Sequence, residues 1–265
     1  MSTRFTTTTR FRGAVASECA KLVSVRSTYL TLALAFGLGI TLGVTETSSI
    51  AAHWPTTTAA ERAAFDPVGA SLDGYEFGLL AFGVLGVLSV SGEYGTGQIT
   101  ATLTAVPRRG TVFAAKAAVV GGLSLALGEL AAFTSFFLGQ WRLSAAGLDV
   151  TLGDPGVLRA VVCAGIYLCV VAIVGFGLGA VVRHTAGAVA GLFILMYPAY
   201  AAARAFETWT YIPDHLLLAN ASTVLAQATA PADQPRVPSL GFALADLALY
   251  AAAALLLGAW RFRQD

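Results

Sequence analysis

Charge is what this chain has least of. Asp, Glu, Lys and Arg make up 12% of its 265 residues, against 56% hydrophobic ones, where about 25% charged is usual for a soluble domain. That composition, with a mean hydropathy of +0.72, excludes an ordinary soluble fold and points to membrane. The basic and acidic groups nearly cancel, to a net +1, and gather on no single face, which excludes a nucleic-acid partner. Cysteine is scarce too: Cys19, Cys163 and Cys169 form no CxxC and have no histidine at ligand spacing, so a metal or redox role is excluded and all three are expected as small buried side chains. The histidines, His53, His184 and His215, fall in connections or at the ends of apolar runs. No metal ligand and no catalytic residue is expected. The one glycine-rich stretch, "GEYGTGQIT", lacks the Lys-Ser/Thr of a nucleotide-binding loop and follows an apolar run rather than a strand. Active transport would therefore need ATP to be hydrolysed by another polypeptide.

What the chain has in abundance is long apolar runs. A helix needs about 20 such residues to cross roughly 30 Å of hydrocarbon, and six segments qualify, at about 27–45, 68–92, 111–139, 159–182, 185–205 and 239–260. Arg4, Arg10 and Arg12 precede the first run, but so long a basic lead with further runs behind it reads as a retained span rather than a cleaved signal. Only Arg183 and His184 separate the fourth from the fifth, so a tight helical hairpin is expected there. The fold class is all-α and polytopic, one domain over 27–263 after a disordered start and interface helix in 1–26.

Lys and Arg set the orientation. With the N-terminus inside, Arg4, Arg10, Arg12, Lys21, Arg26, Arg108, Arg109, Lys116, Arg183, Arg261 and Arg263 are cytoplasmic, and Arg62, Arg142, Arg159, Arg204 and Arg236 are outside, eleven against five. Both termini are thus expected in the cytoplasm. Outside lie Glu46 to Asp66, whose Thr and Pro content argues against helix at its centre, and Gln140 to Pro155. A third outer segment, about 207–230, holds Trp209, Tyr211 and Pro213 before an apolar patch and reads as a re-entrant or interfacial piece in contact with membrane lipid.

Two short amphipathic helices are expected on the cytoplasmic side. In the N-terminal one, Phe11, Val15, Cys19 and Leu22 make an apolar stripe, with Arg12, Glu18 and Lys21 off it. In the second, at about 96–106, Ile99, Leu103 and Val106 recur at helical spacing until Pro107 ends the pattern, and Arg108 and Arg109 hold the far end at the lipid surface.

The order of these parts, with "SGEYGTGQITATLTAVPRRGTVFAAK" after the second span, resembles the permease subunit of ABC-2 type transporters. The residues that carry the resemblance are Glu93, Gly95-Thr96, Leu103-Thr104-Ala105-Val106-Pro107 and Arg108-Arg109, with Pro213 in the outer segment. It implies a six-helix exporter subunit, N-in and C-in, in the plasma (inner) membrane of a bacterium. It implies pairing with a second copy or a close relative, and separate ATPase subunits that use ATP and Mg. Those would dock on a coupling helix, involving Glu93, Thr96, Ile99, Leu103, Val106, Pro107, Arg108 and Arg109, and on the interface helix, involving Phe11, Val15, Glu18, Lys21 and Leu22. On the sequence, Ile99, Leu103 and Val106 are expected to enter a cleft on the ATPase, and Glu93 to cap the loop or pair with a basic residue of the N-terminal helix.

Acids inside spans are the remaining candidates. Glu129 is expected near the bilayer midplane, where an ionised acid costs about 3 kcal/mol on insertion scales. It is expected to face the bundle interior, to line the translocation pathway with Tyr250 and Asp246, and to find in Tyr250 a hydrogen-bond partner. Asp73 and Glu76 are expected at the outer mouth, favoured by the helix dipole at the start of the second span. Two other readings compete. A non-transporting membrane scaffold would use the same close packing, including Gly187 and Gly191 on the fifth span. An intramembrane serine protease would use Ser71 in "GASLDG" with a histidine base, but no histidine falls within a span.

Overall fold

The structure, a computed structural model, describes residues 7–24, 26–106, 108–198, 218, 221, 225–228 and 239–264. Ten helices are labelled here in chain order: α1 (Thr7–Ser24), α2 (Arg26–His53), α3 (Ala59–Ala64), α4 (Pro67–Leu72), α5 (Glu76–Gly95), α6 (Gln98–Ala105), α7 (Arg109–Leu143), α8 (Val157–Val182), α9 (Thr185–Met196) and α10 (Leu240–Arg263). There is no strand among the described residues. Within α5, α7, α8 and α10 lie stretches long and apolar enough to cross a bilayer, with mean hydropathies of 1.3, 1.6, 2.6 and 2.0. This is an all-α membrane protein.

α8 is the axis of the bundle. It is the most apolar of the four and 67% buried, whereas α10, nearly as apolar, is 17% buried and turns Leu249, Leu256 and Trp260 outward. Small residues let backbones touch where side chains would hold them apart. Gly83 and Gly86 of α5 interdigitate with Gly175 and Gly179 of α8; a Cβ on Gly179 would stand 2.8 Å from the Val87 carbonyl oxygen. Gly177 meets Ala254 of α10, and Gly258 of α10 meets Phe113 of α7 and Ala180. Around these crossings pack Phe82, Tyr167, Leu168, Val171, Phe176 and Leu192, the main core. A smaller cluster, Val68, Leu72, Phe136, Val157 and Val161, closes the opposite end.

The expected hairpin is present. α8 ends on Arg183 in the left-handed region (φ 59°), whose N–H returns to the Gly179 carbonyl, and the His184 side chain then caps α9 by accepting from the Gly187 N–H. A cation there also suits the C-terminus of α8.

Several boundaries depart from expectation. α2 continues to His53, the centre of the 46–66 connection is a 3₁₀ turn at Trp54–Thr56 followed by extended Thr57 and Thr58, and beyond it α3 starts where Thr58 and Glu61 form a reciprocal capping box. The second span is broken: α4 and α5 are separated by a 3₁₀ turn at Asp73–Tyr75. Gly74 in that turn lies against the backbone of Gly39 and Gly43 on α2, closer than any side chain would allow. The third span is longer than expected, and Thr7–Thr9, expected as disordered, begin α1. Cys19 is exposed rather than buried, because the face of α1 that meets the bundle carries Ala14 and Glu18; Cys163 is buried and Cys169 half-buried. Gly187 lies against Val182 of α8, where a Cβ would stand 3.1 Å from its Cγ1, and a Cβ on Gly191 would meet nothing within 4 Å. Trp209, Tyr211, Pro213 and most of the 207–230 segment lie outside the described residues, although Leu218, Ala221 and Leu225 are buried in the main core.

Candidate coupling site

Four charges from three helices meet at one end of the bundle. Lys116, seven residues into α7 and only 2% exposed, donates to Glu18 Oε2 (2.6 Å) and Glu93 Oε1 (2.7 Å). Lys21 donates to Glu18 Oε1 (2.7 Å) and to the same Glu93 Oε1 (2.8 Å). Each lysine bridges both carboxylates, so α1, α5 and α7 are tied by a set whose formal charges sum to zero. Two acids that would repel are each held by two cations, which is the arrangement that makes burial of ions tolerable. For Lys21, burial pushes the ammonium pKa down, but its hydrogen bonds and charge contacts with Glu18 and Glu93 outweigh that and hold it above the ordinary value.

α6 joins this set through a single hydroxyl. Thr102 Oγ1 accepts from Lys21 Nζ at 3.0 Å and lies 3.4 Å from Glu93 Oε2. The helix starts immediately after the second span because Gly97, its N-cap, adopts φ 72°, a left-handed conformation that glycine enters without steric cost. Ile99, Leu103 and Val106 are half-buried against the chain's own core. They are only partly buried there, and Thr102, beside them, is held by the cluster. Gln98, Ala101 and Thr104, with Arg108 beyond, are exposed on the other side. Thr96 is exposed and donates to the Gly92 carbonyl, and Arg109 begins α7. Pro107 lies outside the described residues.

On α1 two of the charges expected off the apolar stripe, Glu18 and Lys21, face the bundle, and Lys21 is the basic residue that pairs with Glu93. Glu18 is buried and Lys21 half-buried, while Phe11 and Val15 are half-buried beside them. The side chain of Leu22 lies outside what is described.

The acids of the spans are placed differently. Glu129 lies over Gly165 of α8, where a Cβ would come within 2.6 Å of its carboxyl carbon. Its Oε2 is buried without a hydrogen-bond partner. The Tyr250 oxygen accepts from the backbone of Leu218. Asp246, 4% exposed, has neither oxygen paired. Asp73 is exposed in its 3₁₀ turn and Glu76 is the first residue of α5, its side chain outside the description.

At the opposite end several polar groups are paired, although Asp66 Oδ2 is buried without a partner. Gln140 Nε2 donates to Ser71 Oγ (2.9 Å) and to the Pro67 carbonyl (3.0 Å), and its Oε1 accepts from the Val150 N–H. Ser71 itself donates to Pro67. Of the described histidines, His53 is bonded to Ser49 and His184 caps α9, so neither attends Ser71. Arg159 donates to the carbonyls of Gln227 and Ala228, which fastens that segment to α8.

Sequence reasoning used Lys116 only as an orientation marker and missed Thr102 altogether. A usable signal was present: one lysine inside an apolar run, one acid at the end of the preceding run, and Glu18 and Lys21 one helical turn apart. Comparison with family models, curated proteins and solved structures finds no match for this chain.

Proposed function

We propose that this chain is the membrane-embedded subunit of an ABC-2 type exporter, driven by separate ATPase subunits and working as a dimer with a second copy or close relative in a bacterial plasma membrane. The six spans, with both termini cytoplasmic, belong to this proposal. So do the exporter's ATP and Mg, held by the partner. The observation that carries it is the mounting of α6: a short helix at the polar end, clamped on one face by Thr102, Lys21 and Glu93 and exposed on the other. A helix so mounted passes displacement to α1, α5 and α7 rather than absorbing it. The docking face is Gln98, Ala101 and Thr104, with Arg108, in place of the apolar stripe suggested by sequence. Capture of the full-length chain from its native membranes tests the reading. An ATPase should co-purify with the wild type and be lost with Ala101→Arg at equal membrane abundance. A wild-type capture without an ATPase, or one equally rich with the variant, would count against it.

A further inference from the structure

Three arginines of the described chain stand at the end of the bundle away from the ion-pair cluster, and two of them are committed. Arg62 donates to the carbonyls of Trp54 and Pro55, and Arg159 to those of Gln227 and Ala228. Arg142 has no hydrogen bond or ion pair with any described residue. Its guanidinium lies over the Trp141 ring, 4.7 Å from the centre, a contact that uses none of its N–H donors.

That guanidinium lines a groove of about 460 Å³ between the end of α2 and the end of α7, a volume within the range of ligand sites. From α2 come Ser48, Ala51 and Ala52, and from α7 and the turn after it Trp141, Arg142 and Ser144. The alanines are too short to fill the space, and no Asp or Glu lines it. Both serine protons are spent within the chain, Ser48 donating to the Val44 carbonyl and Ser144 to the Trp141 carbonyl. The groove therefore offers an unpaired cation and two hydroxyl oxygens that can only accept. A guanidinium holds phosphate oxygens through two parallel N–H donors, and the serine oxygens suit hydroxyl groups beyond the phosphate. An ammonium group would find no carboxylate there.

Depth and continuity make the ligand a lipid. Arg142 lies about 39 Å beyond Lys116 along the unbroken α7, at 1.5 Å per residue. The hydrocarbon is about 30 Å thick, and the headgroup layers bring the whole to about 40–45 Å. With the ion-pair cluster at one margin, Arg142 stands among the headgroups of the other. Toward the bilayer centre the apolar surface continues: Phe137 and Leu130 share the exposed face of α7 with Trp141, and exposed Leu38 lies two heptads before Ala52 on α2. Acyl chains would run along these faces from a headgroup seated in the groove.

We propose that this groove binds one anionic phospholipid of that leaflet, a phosphodiester whose headgroup carries hydroxyl groups. Arg142, braced on Trp141, holds the phosphate, and Ser48 and Ser144 accept from the headgroup. The site requires neither an ATPase nor export, so it stands apart from the function proposed above.

The full chain, stripped of lipid in detergent, should retain one dioleoylphosphatidylglycerol in native mass spectrometry in preference to dioleoylphosphatidylcholine and dioleoylphosphatidylethanolamine. Arg142→Gln should lower that affinity about tenfold, the loss expected for a hydrogen-bonded charge. Ala52→Trp, which keeps the charge and fills the groove, should lower it as much. Both positions are exposed, so both variants should melt as the wild type does without lipid. Arg263→Gln, which alters an exposed arginine at the end of α10 near the cluster, should leave the affinity unchanged. An excess of inorganic phosphate or of glycerophosphoglycerol should not displace the lipid. Equal retention of the three lipids, full affinity in Arg142→Gln or Ala52→Trp, an equal loss in Arg263→Gln, or displacement by either soluble phosphate would each overturn the proposal.

Discussion

The start and the middle of α7 face opposite electrostatic problems. Near its start, Lys116 joins two acids and a second base in a set that is complete within the chain. Farther along, Glu129 and, on α10, Asp246 are acids with no base among the described residues. The first set needs nothing from outside and can serve as a joint. The second is incomplete without a proton or a ligand. Paired charge in this membrane protein holds helices together, while the unpaired acids join nothing among the described residues.

Substitutions should separate the two regions by sign. Lys116→Met leaves Glu18 and Glu93 with Lys21 alone, and breaking a buried ion pair from one side costs about 3–5 kcal/mol; the thermal midpoint in nanodiscs should fall well below that of wild type. Asp246→Leu should do the reverse, because it removes an unpaired buried carboxyl whose desolvation costs roughly 1–3 kcal/mol. A lower midpoint for that variant would erase the contrast. Gly165→Ala drives a methyl group into Glu129 and should destabilise by about 1–3 kcal/mol, with part of the loss recovered when Glu129→Ala is added and the rest kept by the Glu129 Cα, 2.9 Å from the new methyl. If the double variant is no better than the single one, the notch on α8 does not exist for Glu129.

The smallest effect is alkaline. Lys21 is held above its ordinary pKa of 10.5 by its hydrogen bonds and charge contacts with Glu18 and Glu93, which overcome the opposing effect of burial. The stability this confers is fully present below the ordinary value and is lost as pH rises through the higher folded value. Stability measured from neutral to strongly alkaline pH should therefore fall less steeply in Lys21→Met than in wild type. Parallel curves would show that the Lys21 contacts add nothing.

Much of the architecture was legible because apolar length is a strong signal: α7, α8 and α10 fall where the runs were read, and α6 lies inside its expected range. The breaks were less legible. The turn at Asp73–Tyr75 follows from Gly74 meeting Gly39 and Gly43, a contact between helices that no local pattern announces. The half-burial of one face of α6 on its own bundle was not legible for a related reason. Ile99, Leu103 and Val106 mark an apolar stripe, but periodicity cannot say whether the stripe covers its own chain or another. On α1, a helical wheel placed Glu18 and Lys21 off the apolar stripe because it scores residues singly; their burial depends on Glu93 and Lys116, each many residues away.

The claim that α6 moves the bundle through its grip on the cluster is tested most directly by Thr102→Val in the assembled transporter. The change removes one hydroxyl, keeps the side chain's shape, and leaves Gln98, Ala101 and Thr104 untouched. ATP hydrolysis should be measured with and without transported substrate. The account predicts that the ATPase still binds and turns over at its basal rate, but that stimulation by substrate falls severalfold. Full stimulation in Thr102→Val would contradict it.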